Sequence, residues 1–336
     1  MRRLPVYLLI DCSESMAGVA IDSVNAAVQG MVRDLRGMPN ALETVAMSVI
    51  TFSSEARLVV PLTPVELFQV PVLTVRPGTS LGRALDLLAS CISMDVVKTT
   101  KDRKGDWRPL VFLFTDGQPT DDWRGAAERI KALASPKIAN FYAIGCGDDV
   151  DFSVLHEITD IVFKTSSADA EAIRKAFVWI TASVQNASAG IAEGAGQLPK
   201  LDGDYALKEI PKGEYQPESE PRQVFIHAKC STTKGDYLMR FRRDQEDGPY
   251  VAVAAHKLAG CDVGFGAKLP PVQSARLVGV PACPYCGNGS AVVCGCGGAM
   301  CIDMQKPFGG VICPHCGAEL QGDFTTGNFD VRQSAG

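Results

Sequence analysis

Two uninterrupted apolar runs constrain this chain more than any other feature. Residues 6–10 (VYLLI) and 110–114 (LVFLF) each pass straight into a motif of hydroxyls and carboxylates. A run without polar alternation must be covered on both faces, which marks an inner strand of a parallel sheet. The first run leads into Asp11-Cys12-Ser13-Glu14-Ser15 and the second into Thr115-Asp116-Gly117, so both motifs fall where strands end. A third motif, Gly78-Thr79-Ser80, precedes a helical face of Leu81, Ala84, Leu85, Leu88, Cys91 and Ile92. Parallel sheets collect ligands at the carboxyl ends of their strands, and the three motifs are expected to meet there.

Together they offer five oxygen-bearing side chains, Asp11, Ser13, Ser15, Thr79 and Asp116. Residues two apart in an extended segment point the same way, which brings Asp11, Ser13 and Ser15 to one point. This hard-ligand set suits Mg²⁺ or Mn²⁺ and suits zinc or copper poorly. Mg²⁺ takes oxygens at about 2.0–2.1 Å and gives up water reluctantly, which favours hydroxyls as direct ligands and carboxylates that hold bound water. An ion held by neutral hydroxyls stays electrophilic, so the site is expected to accept an acidic side chain from another protein. Asp121, Asp122 and Trp123, just after the last motif, are expected to rim it, with Trp123 at the contact edge or covering the helix that follows. Helix capping would explain any one of these motifs alone. It does not explain all three in order after the right strands.

Strand and helix patterns alternate over residues 1–188. Apolar runs at 45–52, 56–60, 141–144 and 161–164 read as further strands, the last at an edge. Helical spacing links Ile21, Val24, Val28, Met31, Val32 and Leu35, then Ala126, Ala127, Ile130 and Leu133, and finally Ile173, Phe177, Ile180 and Val184. The fold class is α/β, a doubly wound and mostly parallel sheet with helices on both faces. The order and motifs resemble a von Willebrand factor A domain with its metal-ion-dependent adhesion site. The stretches Val6-Tyr7-Leu8-Leu9-Ile10-Asp11-Cys12-Ser13-Glu14-Ser15-Met16, Lys104-Gly105-Asp106-Trp107-Arg108-Pro109 and Thr115-Asp116-Gly117-Gln118-Pro119-Thr120-Asp121 are similar to the TerY branch of bacterial tellurium-resistance proteins.

Residues 189–222 read as a solvated acidic linker, broken by glycine and proline. From Gln223 the period changes to two: Tyr237, Met239 and Phe241 share one face, and Leu238, Arg240 and Arg242 the other. Arg222, Lys229, Lys234, Arg240, Arg242 and Arg243 make this small sheet basic, either as a solvated face or as a grip for a phosphorylated partner. Residues 223–320 are expected to form a small β-rich, zinc-ribbon-like domain, with 321–336 as a tail.

Of twelve cysteines, seven lie between Cys283 and Cys316. Each CxxC forms a knuckle presenting two thiolates, and Cys283, Cys286, Cys313 and Cys316 are expected to close one tetrahedral zinc site with sulfur at about 2.3 Å. Cys294, Cys296 and Cys301 then need a fourth ligand for a second zinc, with His256 the first choice and Cys261 the next. The TerY resemblance implies a cysteine-rich metal module with a contributing histidine. Cys12, Cys91 and Cys146 read as buried thiols, and His156 and His227 as ordinary helix and strand residues.

A net charge of −5 gives no whole-chain case for nucleic acid or an anionic membrane. Asp11 interrupts the N-terminal apolar run well short of a signal-peptide core or a membrane span, which reads as cytoplasmic. The resemblance implies a non-enzymatic interaction protein working beside a serine/threonine-type kinase and a PP2C-type phosphatase. One rival is an Mg²⁺-dependent phosphoryl-transfer or hydrolytic enzyme, against which stands the lack of a separate general base or a phosphate-cradling glycine loop. The other is a nucleic-acid-binding zinc ribbon, against which stands Lys306 as the one fixed cation between Cys283 and Cys316.

Overall fold

The computed structural model describes residues 2–133, 135–147, 150–165, 169–193, 205–213, 222–243, 245, 247–258, 270–303, 311–320 and 328–333. The chain forms two compact units, with the main division between Pro217 and Glu218.

The first unit runs β1 (Leu4–Asp11), α1 (Val19–Arg36), α2 (Pro39–Thr44), β2 (Val45–Phe52), β3 (Ala56–Pro64), α3 (Leu81–Asp95), β4 (Leu110–Thr115), α4 (Arg124–Lys131), β5 (Asn140–Gly145), α5 (Phe152–Ile158), β6 (Ile161–Thr165), α6 (Ala170–Glu193) and β7 (Leu207–Glu209). Its strand order is β3-β2-β1-β4-β5-β6-β7. β1 pairs in parallel with both β2 and β4, so that Val6 lies opposite Met47 on one side and Leu110 on the other. Because the chain leaves β1 toward one edge and later crosses to β4 on the other side, the carboxyl ends of β1 and β4 flank the switch point of the sheet.

Strict alternation along the inner strands feeds two apolar layers. Tyr7, Leu9, Val111 and Leu113 pack with Leu85 and Leu88 of α3, Ile130 of α4 and Leu155 of α5. Phe112, Tyr142 and Phe163 surround Trp179 of α6, their rings edge-on to the indole at centroid distances of 6.5, 5.5 and 4.8 Å.

Two expectations change here. β6 is not an edge strand, because Leu207–Glu209 adds an antiparallel partner to it, Phe163 facing Glu209. The linker over 189–222 is therefore not unpacked throughout: α6 continues to Glu193, and the edge of a buried sheet recruits Leu207 while leaving Lys208 and Glu209 exposed. An acidic, proline-broken segment hides so short a strand, whose partner lies some forty residues earlier.

In the second unit β8 (Gln223–Lys229), β9 (Asp236–Arg242) and β10 (Tyr250–Lys257) form an antiparallel meander. It is extended by β12 (Leu277–Val278) beside β10 and by β14 (Ala299–Cys301) and β13 (Ala291–Val293) beside β8. Short pairs join β11 (Val272–Gln273) to β17 (Asp330–Val331) and β15 (Val311–Ile312) to β16 (Glu319–Leu320). Val224, Ile226, Tyr237, Met239 and Phe241 share one buried face, as their alternation requires. The basic reading of this sheet weakens, because several of its cations already have partners. Lys229 lies 2.9 Å from Asp236, Arg240 donates to Gln223, and Arg243 is buried. The His227 side chain is 6% exposed, its Nε2 2.7 Å from Asp236 Oδ1.

At the amino ends of β1 and β4, Asp106 gathers four donors. They are Arg3 Nη2 (2.6 Å) and Nε (3.2 Å), and the backbone amides of Arg3 (3.1 Å) and Val97 (3.0 Å). Burial alone would raise the Asp106 carboxyl, but Arg3 and the two amides outweigh it and hold it below the usual carboxylate range. A depressed carboxylate contributes stability that is present above its unfolded pKa and lost as pH falls through the folded one. Asp106→Asn should therefore lower stability by about 2 kcal/mol at neutral pH and flatten the loss of stability below about pH 4. Urea unfolding across that range reads both effects, and an unchanged acid limb would remove Asp106 from this role.

Candidate metal centres

The switch point brings four of the five oxygen-bearing residues, Asp11, Ser13, Ser15 and Asp116, into one hydrogen-bonded group. The Ser13 amide donates to Asp11 Oδ1 at 2.8 Å, folding the chain so that residues 11, 13 and 15 converge. Ser13 Oγ lies 2.9 Å from Ser15 Oγ, and Ser15 Oγ donates to Asp116 Oδ1 at 2.5 Å. From the other strand Thr115 Oγ1 donates to Asp11 Oδ2 at 2.5 Å, which ties the ends of β1 and β4 to each other. An octahedron of oxygens about 2.1 Å from a central ion has edges of about 3.0 Å, so the hydroxyl spacing fits a small hard cation. Burial pushes the Asp11 carboxyl up to about 6, against the hydrogen bonds from Ser13 and Thr115 that favour its charged form. Asp11 makes no ion pair among the described residues, so a carboxylate enclosed at this depth lacks the positive charge that its environment calls for. The residues present fit a divalent cation.

Thr79 is held to the loop that follows Thr115-Asp116 by a clasp with Thr120 that the sequence does not announce. Its amide donates to Thr120 Oγ1 at 3.1 Å, and the Thr120 amide donates back to the Thr79 carbonyl at 2.9 Å. Asp121 accepts from the amides of Gly82 and Arg83, both at 3.0 Å, at the first turn of α3. The approach is close: a Cβ on Gly82 would stand 2.7 Å from the Asp122 carbonyl oxygen. Asp121 therefore caps a helix instead of rimming the site, and Asp122 is the exposed member of the trio. Trp123 is 6% exposed and packs in the α3–α5 layer, so it does not form a contact edge. An indole two residues past a capping aspartate is drawn into the core as α4 begins. All five ligand candidates are recessed as well, with Asp116 the most exposed at 8%.

The second unit gathers eight cysteines into two groups, Cys230 with Cys283, Cys286 and Cys301, and Cys294 with Cys296, Cys313 and Cys316. In each group the sulfurs lie within 4.8 Å of one another. Sulfur pairs at 3.6 Å (Cys286 and Cys301), 3.8 Å (Cys294 and Cys316) and 3.9 Å (Cys296 and Cys313) match the edge of about 3.8 Å expected when zinc holds four sulfurs at about 2.3 Å. Backbone amides also point at the sulfurs, Ser231 at Cys301 (3.3 Å), Thr233 at Cys230 (3.4 Å) and His315 at Cys313 (3.4 Å). Burial pushes the Cys230 thiol up, but hydrogen bonds from Thr233 and Thr232 and from Cys286 prevail and bring it down to about 6, whereas Cys286 is pushed up to about 12. Each group has the ligand type, number and spacing to hold a metal ion such as zinc.

This grouping corrects the expected ligand sets. The CxxC knuckles at Cys283 and Cys313 do not share an ion, because each is matched to a different partner. Cys301 joins the first pair, while Cys294 and Cys296 join the second. His256 enters neither group: it sits on β10 across from Leu238. Cys261 lies outside the described residues. His315, between the two cysteines of its knuckle, packs edge-on to His227 at 5.8 Å, and its Nε2 lies 2.7 Å from the Ala299 carbonyl oxygen.

The ligand that the cysteine spacing does not announce is Cys230, and its backbone explains why. In the CxxC knuckles the amides of Gly287 and Gly317 return to the carbonyls of Cys283 and Cys313, and Cys283 and Cys313 donate onward to Asn288 and Ala318. Lys234 returns to Cys230, and Cys230 donates onward to Gly235, in the same way. Gly287 and Gly317 take φ of 78° and 77°, and Lys234 takes 63°. Cys230 thus heads a third knuckle in which Thr233 occupies the place of the second cysteine. The readable trace was a cysteine closing a strand, five residues before a glycine.

A doubly wound domain with an oxygen-lined switch point, followed by a β module with two four-cysteine groups, defines a metal-binding interaction protein in two parts. Residues 6–176 match the von Willebrand factor type A domain, residues 220–336 match the TerY-C metal binding domain, and the chain belongs to the von Willebrand factor A family. Among solved structures it is similar to proximal thread matrix protein 1 from the mussel byssus (15% identity, 55% of this chain and 48% of that one, TM-score 0.42). It is also similar to the ArnB paralog VWA2 from Sulfolobus acidocaldarius (17% identity, 53% and 45%, TM-score 0.40). A third is a mutant of the PilB minor pilin from Streptococcus sanguinis (13% identity, 59% and 64%, TM-score 0.43). The chain spans under half the length of the first two. No helix among the described residues is long and apolar enough to cross a membrane.

Metal analysis of the purified full chain should return two zinc ions, and His256→Ala should keep both. Cys230→Ser should lose at least one. A full complement of zinc in Cys230→Ser would exclude that cysteine as a ligand.

Proposed function

We propose that the first domain is a metal-ion-dependent docking module and that the cysteine-rich domain is a zinc-stabilised second contact surface, neither of them catalytic. The observation that carries this reading is the convergence of Asp11, Ser13, Ser15 and Asp116 at the switch point, with the two carboxylates already engaged by neighbouring hydroxyls and amides and Thr79 on the loop clasped to Thr120. Ser13, Ser15 and Thr79 would hold Mg²⁺ directly, and Asp11 and Asp116 would hold its water. The bound ion supplies an electrophilic position for one carboxylate oxygen of a partner. Because the ligands are recessed, the incoming group must project on a side chain, which favours a single Asp or Glu over a broad acidic face. Both carboxylates serve the ion and neither is left as a general base, which counts against hydrolytic or phosphoryl-transfer chemistry.

In this reading the zinc ions are structural. The module is small, and metal binding in such domains supplies folding free energy, about 10–16 kcal/mol in zinc-finger peptides. Thiolates kept for metal suit a reducing compartment, in line with a cytoplasmic location. The resemblance to TerY proteins supports a serine/threonine-type kinase and a PP2C-type phosphatase as partners in a tellurium-resistance or stress-response unit.

Calorimetric titration with Mg²⁺ tests the ion first. Thr79→Ala and Asp116→Ala should each weaken binding by at least tenfold while leaving the thermal midpoint nearly unchanged. Capture of the purified kinase or phosphatase should then fail in buffer free of Mg²⁺ and Mn²⁺, with zinc left in place, and recover when either is added, in the unmutated chain only. A complex undiminished without Mg²⁺ or Mn²⁺ would show that docking does not use the ion.

A further inference from the structure

The loop between α3 and β4 concentrates positive charge at the end of the sheet away from the metal ligands. Lys98, Lys101, Arg103, Lys104 and Arg108 are exposed, and Arg2 lies beside them, its Nε donating to the Gly105 carbonyl at 2.7 Å. None of these six cations makes an ion pair among the described residues. The nearby acids are Asp95, Asp102 and Asp106, and Asp106 is spent on Arg3. The chain as a whole carries −5, so this charge is segregated.

The loop is also held in shape, and apart from Arg2 the charged heads take no part in holding it. Thr100 donates to the Arg103 carbonyl at 2.9 Å, the Gly105 amide to Thr99 Oγ1 at 3.0 Å, the Asp106 amide to the Val97 carbonyl at 2.8 Å, and the Trp107 amide to the Arg3 carbonyl at 2.8 Å. Crowded like charges oppose folding, and here the fold gains nothing from the five exposed ones. A fixed backbone presenting them lowers the ordering cost of binding a polyanion.

We propose that residues 98–104, with Arg2 and Arg108, form a second docking surface, for an acidic segment of a partner protein. Two features favour a peptide over other polyanions. The Trp107 ring is covered by the Arg2 guanidinium, 3.5 Å from its centroid, so it offers no open platform for a nucleobase. The stretch 98–104 (KTTKDRK) has no apolar side chain, and the exposed apolar residues just before it, Met94 and Val97, do not make the apolar face that anchoring in a bilayer takes. Eight residues of β1 at about 3.3 Å each put this surface roughly 26 Å from the metal ligands, so the two ends of the domain are separate sites.

Anisotropy of a fluorescent oligoglutamate peptide with the full chain tests this, with no Mg²⁺ or Mn²⁺ in the buffer so that the metal end does not contribute while the zinc groups stay loaded. Binding is expected at low salt, with at least a tenfold loss in the triple variant Lys101→Glu, Arg103→Glu, Lys104→Glu. Asp116→Ala should bind as tightly as the unmutated chain. The same charge change at Arg33, Arg129 and Arg174 should cost less than threefold, and thermal midpoints and zinc content confirm that each variant is folded. Equal binding by the loop variant, or loss in Asp116→Ala, would overturn the proposal. Tighter binding of single-stranded DNA or phosphatidylserine vesicles than of the peptide would overturn the choice of partner.

Discussion

The parallel pairing of β1 with β4 is the constraint on which the first domain depends. It places Asp11 and Thr115-Asp116 side by side at the point where the chain changes direction across the sheet, and the Thr115 hydroxyl then fastens one strand end to the other. The register cannot slip without moving Tyr7, Leu9, Val111 and Leu113 out of one apolar layer and into the other. Packing deep in the sheet thus fixes the positions of polar atoms at its rim. Asp106 performs a similar duty at the opposite end, drawing Arg3 and Val97 onto one carboxylate, so β1 and β4 are tied to each other at one end and anchored at the other.

In the second domain the sulfur groups take over work that apolar mass cannot do. Its main core is drawn from short strands and includes the metal-group cysteines Cys230, Cys283 and Cys301 among its buried members. The knuckles supply geometry more than bulk: each closes on itself through two backbone hydrogen bonds and leaves its sulfur fixed toward the group.

The doubly wound sheet was legible because its signals are local and strong. Apolar runs of five residues admit few readings, and Asp11, Ser13, Ser15, Thr79 and Asp116 sit at strand and helix ends that those runs define. What escaped was set by pairings that local pattern does not encode. Leu207–Glu209 is a strand only because β6 offers an open edge. Trp123 looked available because its neighbours are polar, yet the cap made by Asp121 turns it inward. The cysteines were countable, but which knuckle faces which depends on how β14 lies along β8, and Cys230 lacked the second cysteine that would have announced it.

The order of the sulfur ligands along the chain interleaves the two groups. Cys286 and Cys301, both of the first group, bracket the β13–β14 hairpin, and Cys294 and Cys296, both of the second, lie at its turn. A metal ion in the first group would pin the base of the hairpin whose tip carries half of the second, so the two groups share one structural element and the order of that hairpin bears on both.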